Sequence, residues 1–307
     1  MNIGRRALTG AMICGAMVCL ASGTAAADWR DEVPVFRIGI LGGALGEYQR
    51  NAFACLDHLV EQEMRVPTEL FTSPDYNGVM QGLLDGKLDA AGLGAASYAG
   101  VYLRDPDAVE PLVAVQQLDG SLGYHSVLFV RADSPYQTLD DLRGRSLMFT
   151  DRDSTSGFLV PHYELSHEGY PLRYFGSFGF SGSHPGAVRA VLDGQFDAGV
   201  TWTSGLGSYE KGHTRGNLRS MVRKGQLNMS DIRILWSSSL IAEGPIVVRK
   251  KLPQEAKDGY KQLLLNLPKQ HHRCFESIAG GSATGYAPVD HELYRTIINI
   301  RRQLEQG

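Results

Sequence analysis

Three hydroxyl residues in a row, Ser154, Thr155 and Ser156, stand in the segment Asp151-Arg152-Asp153-Ser154-Thr155-Ser156-Gly157-Phe158-Leu159-Val160-Pro161. A strand-like run, Ser146–Phe149, precedes them and an apolar helical stretch follows. One Ser or Thr at a helix start caps a free backbone N–H. Three exceed what a cap needs. A helix N-terminus carries free N–H donors and partial positive charge, so it can hold a phosphate-like anion. Hydroxyls add donors without adding a counter-charge.

His184 stands in a similar place, after Phe180-Ser181-Gly182-Ser183 and before the helical run Ala187–Leu192. There it can donate to an oxyanion or serve as an ordinary structural histidine. Tyr76, in Ser73-Pro74-Asp75-Tyr76-Asn77-Gly78, lies in a turn that leads into a helix, as a surface residue or a ligand donor. Ser97 and Tyr98 follow the strand-like run Asp89–Leu93, at the carboxyl end where open α/β sheets bind ligands.

Known catalytic patterns are missing. Gly39-Ile40-Leu41-Gly42-Gly43-Ala44-Leu45-Gly46 lacks the dinucleotide spacing, and no P-loop lysine follows it. Gly182-Ser183-His184-Pro185-Gly186 places Ser one position early for a nucleophile elbow. His162 and His167 are five apart, off the spacing of a zinc pair on one helical face. His271-His272-Arg273-Cys274 reads as a solvated segment rather than a metal site. No catalytic residue, metal or cofactor is therefore expected.

The elements that must position these residues alternate along the chain. Val35–Ile40, Thr68–Phe71 and Asp89–Leu93 read as strands, with Asn51–Glu63 and Gly78–Leu84 as helices between them. Such alternation predicts an α/β sheet covered by helices. Leu83-Leu84-Asp85-Gly86-Lys87-Leu88-Asp89-Ala90 recurs 108 positions later as Val191-Leu192-Asp193-Gly194-Gln195-Phe196-Asp197-Ala198. Each copy reads as a helix stopped by Gly and followed by a short buried strand. Two similar lobes, each with its own sheet, are expected. Tyr124–Arg131 and Leu240–Arg249 read as strands crossing between them, a hinge that can close on a ligand. The expected division is a first lobe from residues 28–127 and 242–307 and a second from 128–241.

Composition sets the setting. The 307 residues are 43% hydrophobic and 21% charged, enough for a packed core, and the formal charge of −3 argues against a nucleic-acid surface. Arg5 and Arg6, an apolar run from Ala7, and Thr24-Ala25-Ala26-Ala27 form a secretory signal, cleaved near Ala27. Export leaves 28 basic against 33 acidic residues, or −5. Cys55 and Cys274 remain. In an oxidising compartment they could pair, but two separate buried thiols are the expectation.

Several of these motifs together resemble the periplasmic phosphonate-binding proteins of ABC importers, over roughly Val35 to Leu252. The resemblance rests on Pro74-Asp75-Tyr76, on Gly123-Tyr124-His125-Ser126-Val127, on the segment from Asp151 to Pro161, and on Gly182-Ser183-His184. Leu235-Trp236-Ser237 and Pro245-Ile246-Val247 fit as well. It implies a type II periplasmic binding fold, with two α/β lobes joined by two crossing strands around a ligand cleft. It implies that Ser154, Thr155 and Ser156 hold a phosphonate, phosphite or phosphate group, with His184 and Tyr76 donating to the same oxygens. Ser97, Tyr98 and Tyr124 fall at further contact positions. Trp202 either walls the cleft or packs in the second lobe's core.

Relatives that take aminoalkylphosphonates pair the ammonium with two carboxylates. Here those positions align with Ser204 and Gly244, with Glu243 one residue away, so a small ligand without an amine is expected. The implied role is a monomeric periplasmic protein that delivers a small phosphorus oxyanion to an inner-membrane ABC permease. It would act without enzymatic turnover and without binding nucleic acid. A sensor module signalling to a membrane kinase, a binder of another small anion, and a secreted enzyme on the same fold are the alternatives.

Overall fold

The computed structural model describes Met1 and residues 28–41 and 46–306; the expected signal segment and residues 42–45 lie outside the described residues. Two sheets organise the chain. The first contains β1 (Phe36–Leu41), β2 (Thr68–Ser73), β3 (Ala90–Gly92), β4 (Val109–Gln116), β11 (Pro245–Arg249) and β12 (Gly285–Pro288), in the order β12-β4-β11-β3-β1-β2. The second contains β5 (Gly123–Arg131), β6 (Ser146–Phe149), β7 (Ser177–Phe180), β8 (Ala198–Thr203), β9 (Ile232–Ser237) and β10 (Ile241–Ala242).

Both sheets share one central pattern. In the first, β3 pairs parallel with β1 and antiparallel with β11, and β1 pairs parallel with β2. In the second, β8 pairs parallel with β6 and antiparallel with β5, and β6 pairs parallel with β7. Parallel neighbours need helical crossovers, which cover the sheet faces.

After the short α1 (Trp29–Glu32), helices α2 (Gly46–Met64), α8 (Gln254–Gln270) and α9 (His272–Ala279) bury one face of the first sheet around Phe36, Leu56, Tyr260 and Phe275. Its other face is covered by α3 (Tyr76–Leu84), α4 (Ala95–Arg104) and α10 (Arg295–Gln306), around Met80, Tyr98 and Ile298. On the second sheet, the helical run through α5 (Val160–His167) packs over Phe149 and Trp236. The opposite face takes α6 (His184–Leu192) and α7 (Asn217–Arg223), over Phe129 and Val188.

The sequence repeat has a structural counterpart. Gly86 and Gly194 both sit at φ 71°, the left-handed conformation that stops α3 and α6. The Asp that follows each turn ties two strands together. Asp89 accepts from the Arg37 amide and Asp197 from the Ser146 amide, each at 2.9 Å.

The chain changes sheets twice. It leaves the first after Gln116 and joins the second at Gly123, then returns between Ala242 and Pro245. The boundary expected at residue 127 therefore cuts through β5. That strand pairs with β8 and β9 and belongs wholly to the second lobe.

A disulfide joins Cys55 on α2 to Cys274 on α9, correcting the expectation of separate thiols. The two helices pack side by side on one face of the first sheet, a proximity that a separation of 219 residues concealed. Among the described residues, no helix is long and apolar enough to cross a membrane.

Candidate ligand-binding site

A cleft of about 660 Å³ opens between the lobes, with Leu41, Tyr76 and α9 on one side and His184, Trp202 and Asn217 on the other. Its inner end is built from three helix starts. Ser154 caps the first, a wide π-type turn over Thr155–Leu159 that runs on into α5; its Oγ accepts from the Gly157 amide at 3.1 Å. Gly157 is required there, because a Cβ would lie 1.7 Å from Thr150 Oγ1. The opening turn of a helix has N–H groups without helical acceptors, so Thr155 and Ser156 present amides as well as hydroxyls.

Tyr76 and His184 open the other two. Each is the first residue of its helix, and they stand 108 positions apart, the offset of the repeated turn. Asp75 caps α3 by accepting from Gly78, and Ser183 caps α6 by accepting from Gly186. The two lobes thus aim equivalent residues at each other across the cleft. Tyr76 Oη lies 3.4 Å from Ser154 Oγ, and His184 Nε2 lies 3.4 Å from the same oxygen.

The phenol and imidazole donors at this end are themselves uncharged. Burial pushes the Tyr76 phenol up to about 12, so it keeps its proton. Burial also pushes His184 down to about 3, so its imidazole is neutral at pH 7 and can donate from one nitrogen only. Nδ1 lies 3.4 Å from Thr201 Oγ1, which in turn accepts from Asn217 Nδ2 at 3.0 Å. Where the Thr201 hydroxyl gives its proton to Nδ1, its oxygen still accepts from Asn217. The imidazole N–H is then at Nε2, facing Ser154 and the cleft.

Tyr124, at the start of β5, joins from the hinge. Burial and the neighbouring Glu243 carboxylate push its phenol up, and hydrogen bonds to Ser156 and Thr155 offset part of that rise. Its ring meets Trp202 edge-on at 5.2 Å, and Trp202 meets His184 at 6.4 Å. Trp202 is a wall of the cleft rather than core of the second lobe.

Ser97 and Tyr98 separate. Ser97 is buried, and its hydroxyl donates to the Asp153 carbonyl at 3.0 Å, tying α4 to the loop before Ser154. Tyr98 is not brought to the site. It packs on Tyr294, and its hydroxyl lies 2.9 Å from His291 Nδ1. Neighbours on a helix point about 100° apart, so the two could not both face the cleft.

The lobes are held together around these groups. Ala96 N donates to Thr155 Oγ1 at 2.8 Å, and Arg301 on α10 pairs with Asp153 at 2.6 Å. Arg215 forms a buried ion pair with Glu243, which also accepts from Gln117 Nε2 at 2.6 Å. Arg215 Nε donates to the Ala279 carbonyl, and the guanidinium carbon lies 5.1 Å from the centre of the Trp202 ring. The sequence reading did not single out Thr201, Asn217, Arg215 or Gln117. Only the position of Thr201 beside Trp202 signalled any of them.

The positions aligned with ammonium-pairing carboxylates hold none. Ser204 bonds to Thr214 Oγ1 at 2.9 Å. A Cβ on Gly244 would lie 2.0 Å from the Leu93 carbonyl oxygen, so no side chain fits there. Glu243 is engaged by Arg215 and Gln117.

Comparison with known proteins gives a consistent picture. Residues 47–294 match the model of a family described as the ABC transporter, phosphonate, periplasmic substrate-binding protein. The chain is 31% identical over 216 residues to the phosphonates-binding periplasmic protein of Escherichia coli, covering 68% of this chain and 59% of that one. It is 29% identical over 213 residues to the phosphate-import protein PhnD of Mycolicibacterium smegmatis, covering 67% and 63%. The matched part thus spans about three fifths of the length of these two relatives. Among solved structures, PhnD1 of Prochlorococcus marinus in complex with methylphosphonate superposes with a TM-score of 0.74 at 21% identity, covering 89% of this chain and 99% of that one. This likeness shows a type II periplasmic binding fold. With more than half its length matched to the family model, the chain belongs to the periplasmic phosphonate-binding proteins of ABC transporters.

Proposed function

We propose that this protein captures a small phosphorus oxyanion in the periplasm and hands it to an ABC permease, acting as a binding protein rather than an enzyme. The observation that carries this reading is the convergence of Tyr76 and His184, one from each lobe, on Ser154 Oγ at 3.4 Å each. Tetrahedral oxygens at that point would meet the Ser154, Thr155 and Ser156 hydroxyls, the Tyr76 phenol and the His184 Nε2–H. The donors come from both lobes, so ligand binding would favour the closed arrangement over an open one. Relatives named for phosphonate and phosphate import support the ligand class and the transport role. The matched family supports delivery to a permease over signalling to a kinase.

The ligand is read as one without an amine, since the cleft offers no free carboxylate at Ser204, Glu243 or Gly244. An ammonium brought to those positions without a counter-charge would lose several kcal/mol of hydration. Titration calorimetry with phosphate, phosphite, methylphosphonate and 2-aminoethylphosphonate tests both parts. Saturable binding of at least one of the first three, tighter than 2-aminoethylphosphonate, is expected. Absence of binding to all four would overturn the function. Preference for 2-aminoethylphosphonate would overturn the amine-free reading.

A further inference from the structure

The charge of the cleft is opposite to that of the protein. The chain carries −3 overall. Yet Arg215, Arg223, Lys224 and Arg273 line the cleft, with Glu276 the carboxylate among its described lining residues. Arg215 is neutralised by Glu243. Arg223, at the end of α7 in the second lobe, and Arg273, at the start of α9 in the first, are different. Among the described residues, neither forms an ion pair or a side-chain hydrogen bond. Glu276 is already engaged by Ser282 Oγ at 3.2 Å and His272 Nε2 at 3.8 Å.

Space accompanies the charge. The cleft of about 660 Å³ has room for some twenty water-sized groups at ~30 Å³ each. On that scale methylphosphonate fills about a quarter of it. The donors named at the inner end are hydroxyls, phenols and a neutral imidazole, whereas Arg223 and Arg273 line the same cleft from opposite lobes.

We infer that the cleft has a second anion subsite, formed by Arg223 and Arg273, and that the preferred ligands are phosphonates carrying a carboxylate on the carbon chain. This rests on the proposed binding of the phosphonate head at Ser154, Tyr76 and His184. Arginine suits the role because its planar fork matches a carboxylate through paired N–H donors and keeps its charge at every working pH. A ligand spanning the inner end and this pair would touch both lobes at two points.

The experiment compares methylphosphonate, phosphonoacetate and 3-phosphonopropionate by calorimetry, on the natural chain and on the double variant Arg223→Gln/Arg273→Gln. One of the two carboxylated ligands should bind the natural chain about tenfold more tightly than methylphosphonate, the effect of one charge-assisted contact. The double variant should lose about tenfold for that ligand and no more than about twofold for methylphosphonate, the share owed to long-range attraction. Stopped-flow fluorescence from Trp202 in the cleft wall separates the rates. A subsite speeds ligand release when it is removed, whereas mere steering leaves release unchanged and slows association, most for the ligands of highest charge.

If methylphosphonate binds and the carboxylate adds nothing, the subsite is overturned while the head-group reading stands. Equal losses for all three ligands in the variant overturn it too, because the arginines then make no contact that the carboxylate alone gains. If no phosphonate binds, both readings fall together.

Discussion

Replacing Thr201 with Val tests whether His184 is held as a one-directional donor. Val keeps the shape of Thr and removes its hydroxyl. Two links break at once: Asn217 Nδ2 loses its acceptor at 3.0 Å, and His184 Nδ1 loses the donor at 3.4 Å. The imidazole is neutral, because burial holds it down to about 3. Without Thr201 nothing fixes which nitrogen carries the proton, and the Nδ1–H form would turn a lone pair toward the anion. A hydrogen bond to a charged group contributes ~1.5–3 kcal/mol, so losing the His184 donor should weaken phosphonate binding about ten- to a hundredfold. Thr201 and Asn217 are both buried, so the amide, left with only the Met221 sulfur at 3.4 Å, should also cost ~1 kcal/mol of stability. Thr201→Ser keeps the hydroxyl and should bind within about threefold of the natural protein. Calorimetry measures the affinities, and nitrogen-15 shifts of the imidazole report the tautomer. Equal affinity for the Val and Ser variants, or an Nδ1–H tautomer in the natural protein, would refute the reasoning.

Removing the disulfide with Cys55→Ala/Cys274→Ala should lower stability by ~2–5 kcal/mol, since the bridge closes a long loop in the unfolded chain; urea unfolding with and without reductant checks this, and equal midpoints would count against it. The stability of the ligand-free protein should fall on acidification. The unfolded His184 takes a proton near pH 6.5 and the folded one only near pH 3, so the unfolded state binds more protons in between and stability is lost as pH drops through that window. Between pH 7.5 and 5.5 this one group should cost about 1.4 kcal/mol, a loss that His184→Gln should not show in parallel unfolding curves. Gly244→Ala should destabilise by ~1–3 kcal/mol, because its Cβ would press on the Leu93 carbonyl at the point where the chain re-enters the first sheet; unchanged stability would mean the crossing is looser than the structure has it.

Much of this architecture could be read from local patterns. The Asp-Gly turns at Asp85-Gly86 and Asp193-Gly194 announce two copies of one unit, because a helix stop followed by a buried strand is written in consecutive residues. The triple hydroxyl and the two helix starts at Tyr76 and His184 were visible for the same reason: capping is a matter of neighbours along the chain. The offset of 108 between the two turns also relates Tyr76 to His184. What stayed hidden depends on packing between distant segments. Gln117 meets Glu243 across 126 positions, and Cys55 meets Cys274 across 219. Tyr98 was misjudged because a strand's carboxyl end marks a region, whereas helix rotation decides which of two adjacent side chains faces it.

The uncharged donors of the inner end and the charged outer cleft make sense as a division of labour. A cation at the head-group position would attract any anion and would bind it without lobe closure. Neutral donors discriminate differently. Each must be aimed, and two of them here are aimed from opposite lobes at Ser154. The hydroxyl of Thr155 is also fixed by the Ala96 amide across the cleft, so one segment would serve both the ligand and the closed arrangement. On the proposed reading, affinity would depend on closure, and closure on the anion having oxygens where both lobes can reach them. The buried Arg215–Glu243 pair fits this logic. It keeps a full positive charge near Trp202 while cancelling it locally, so the guanidinium can brace the cleft wall and the Ala279 carbonyl without becoming an anion trap. Replacing Glu243 with Gln would unmask that charge. The expected result is a protein less stable by ~3 kcal/mol or more, from the unpaired buried cation. It should also separate phosphonates from sulfate less well, because attraction to charge would supplement recognition by shape. Calorimetric affinities for methylphosphonate and sulfate in the Glu243→Gln protein measure this, and an unchanged ratio would show that Arg215 lies beyond the ligand's influence.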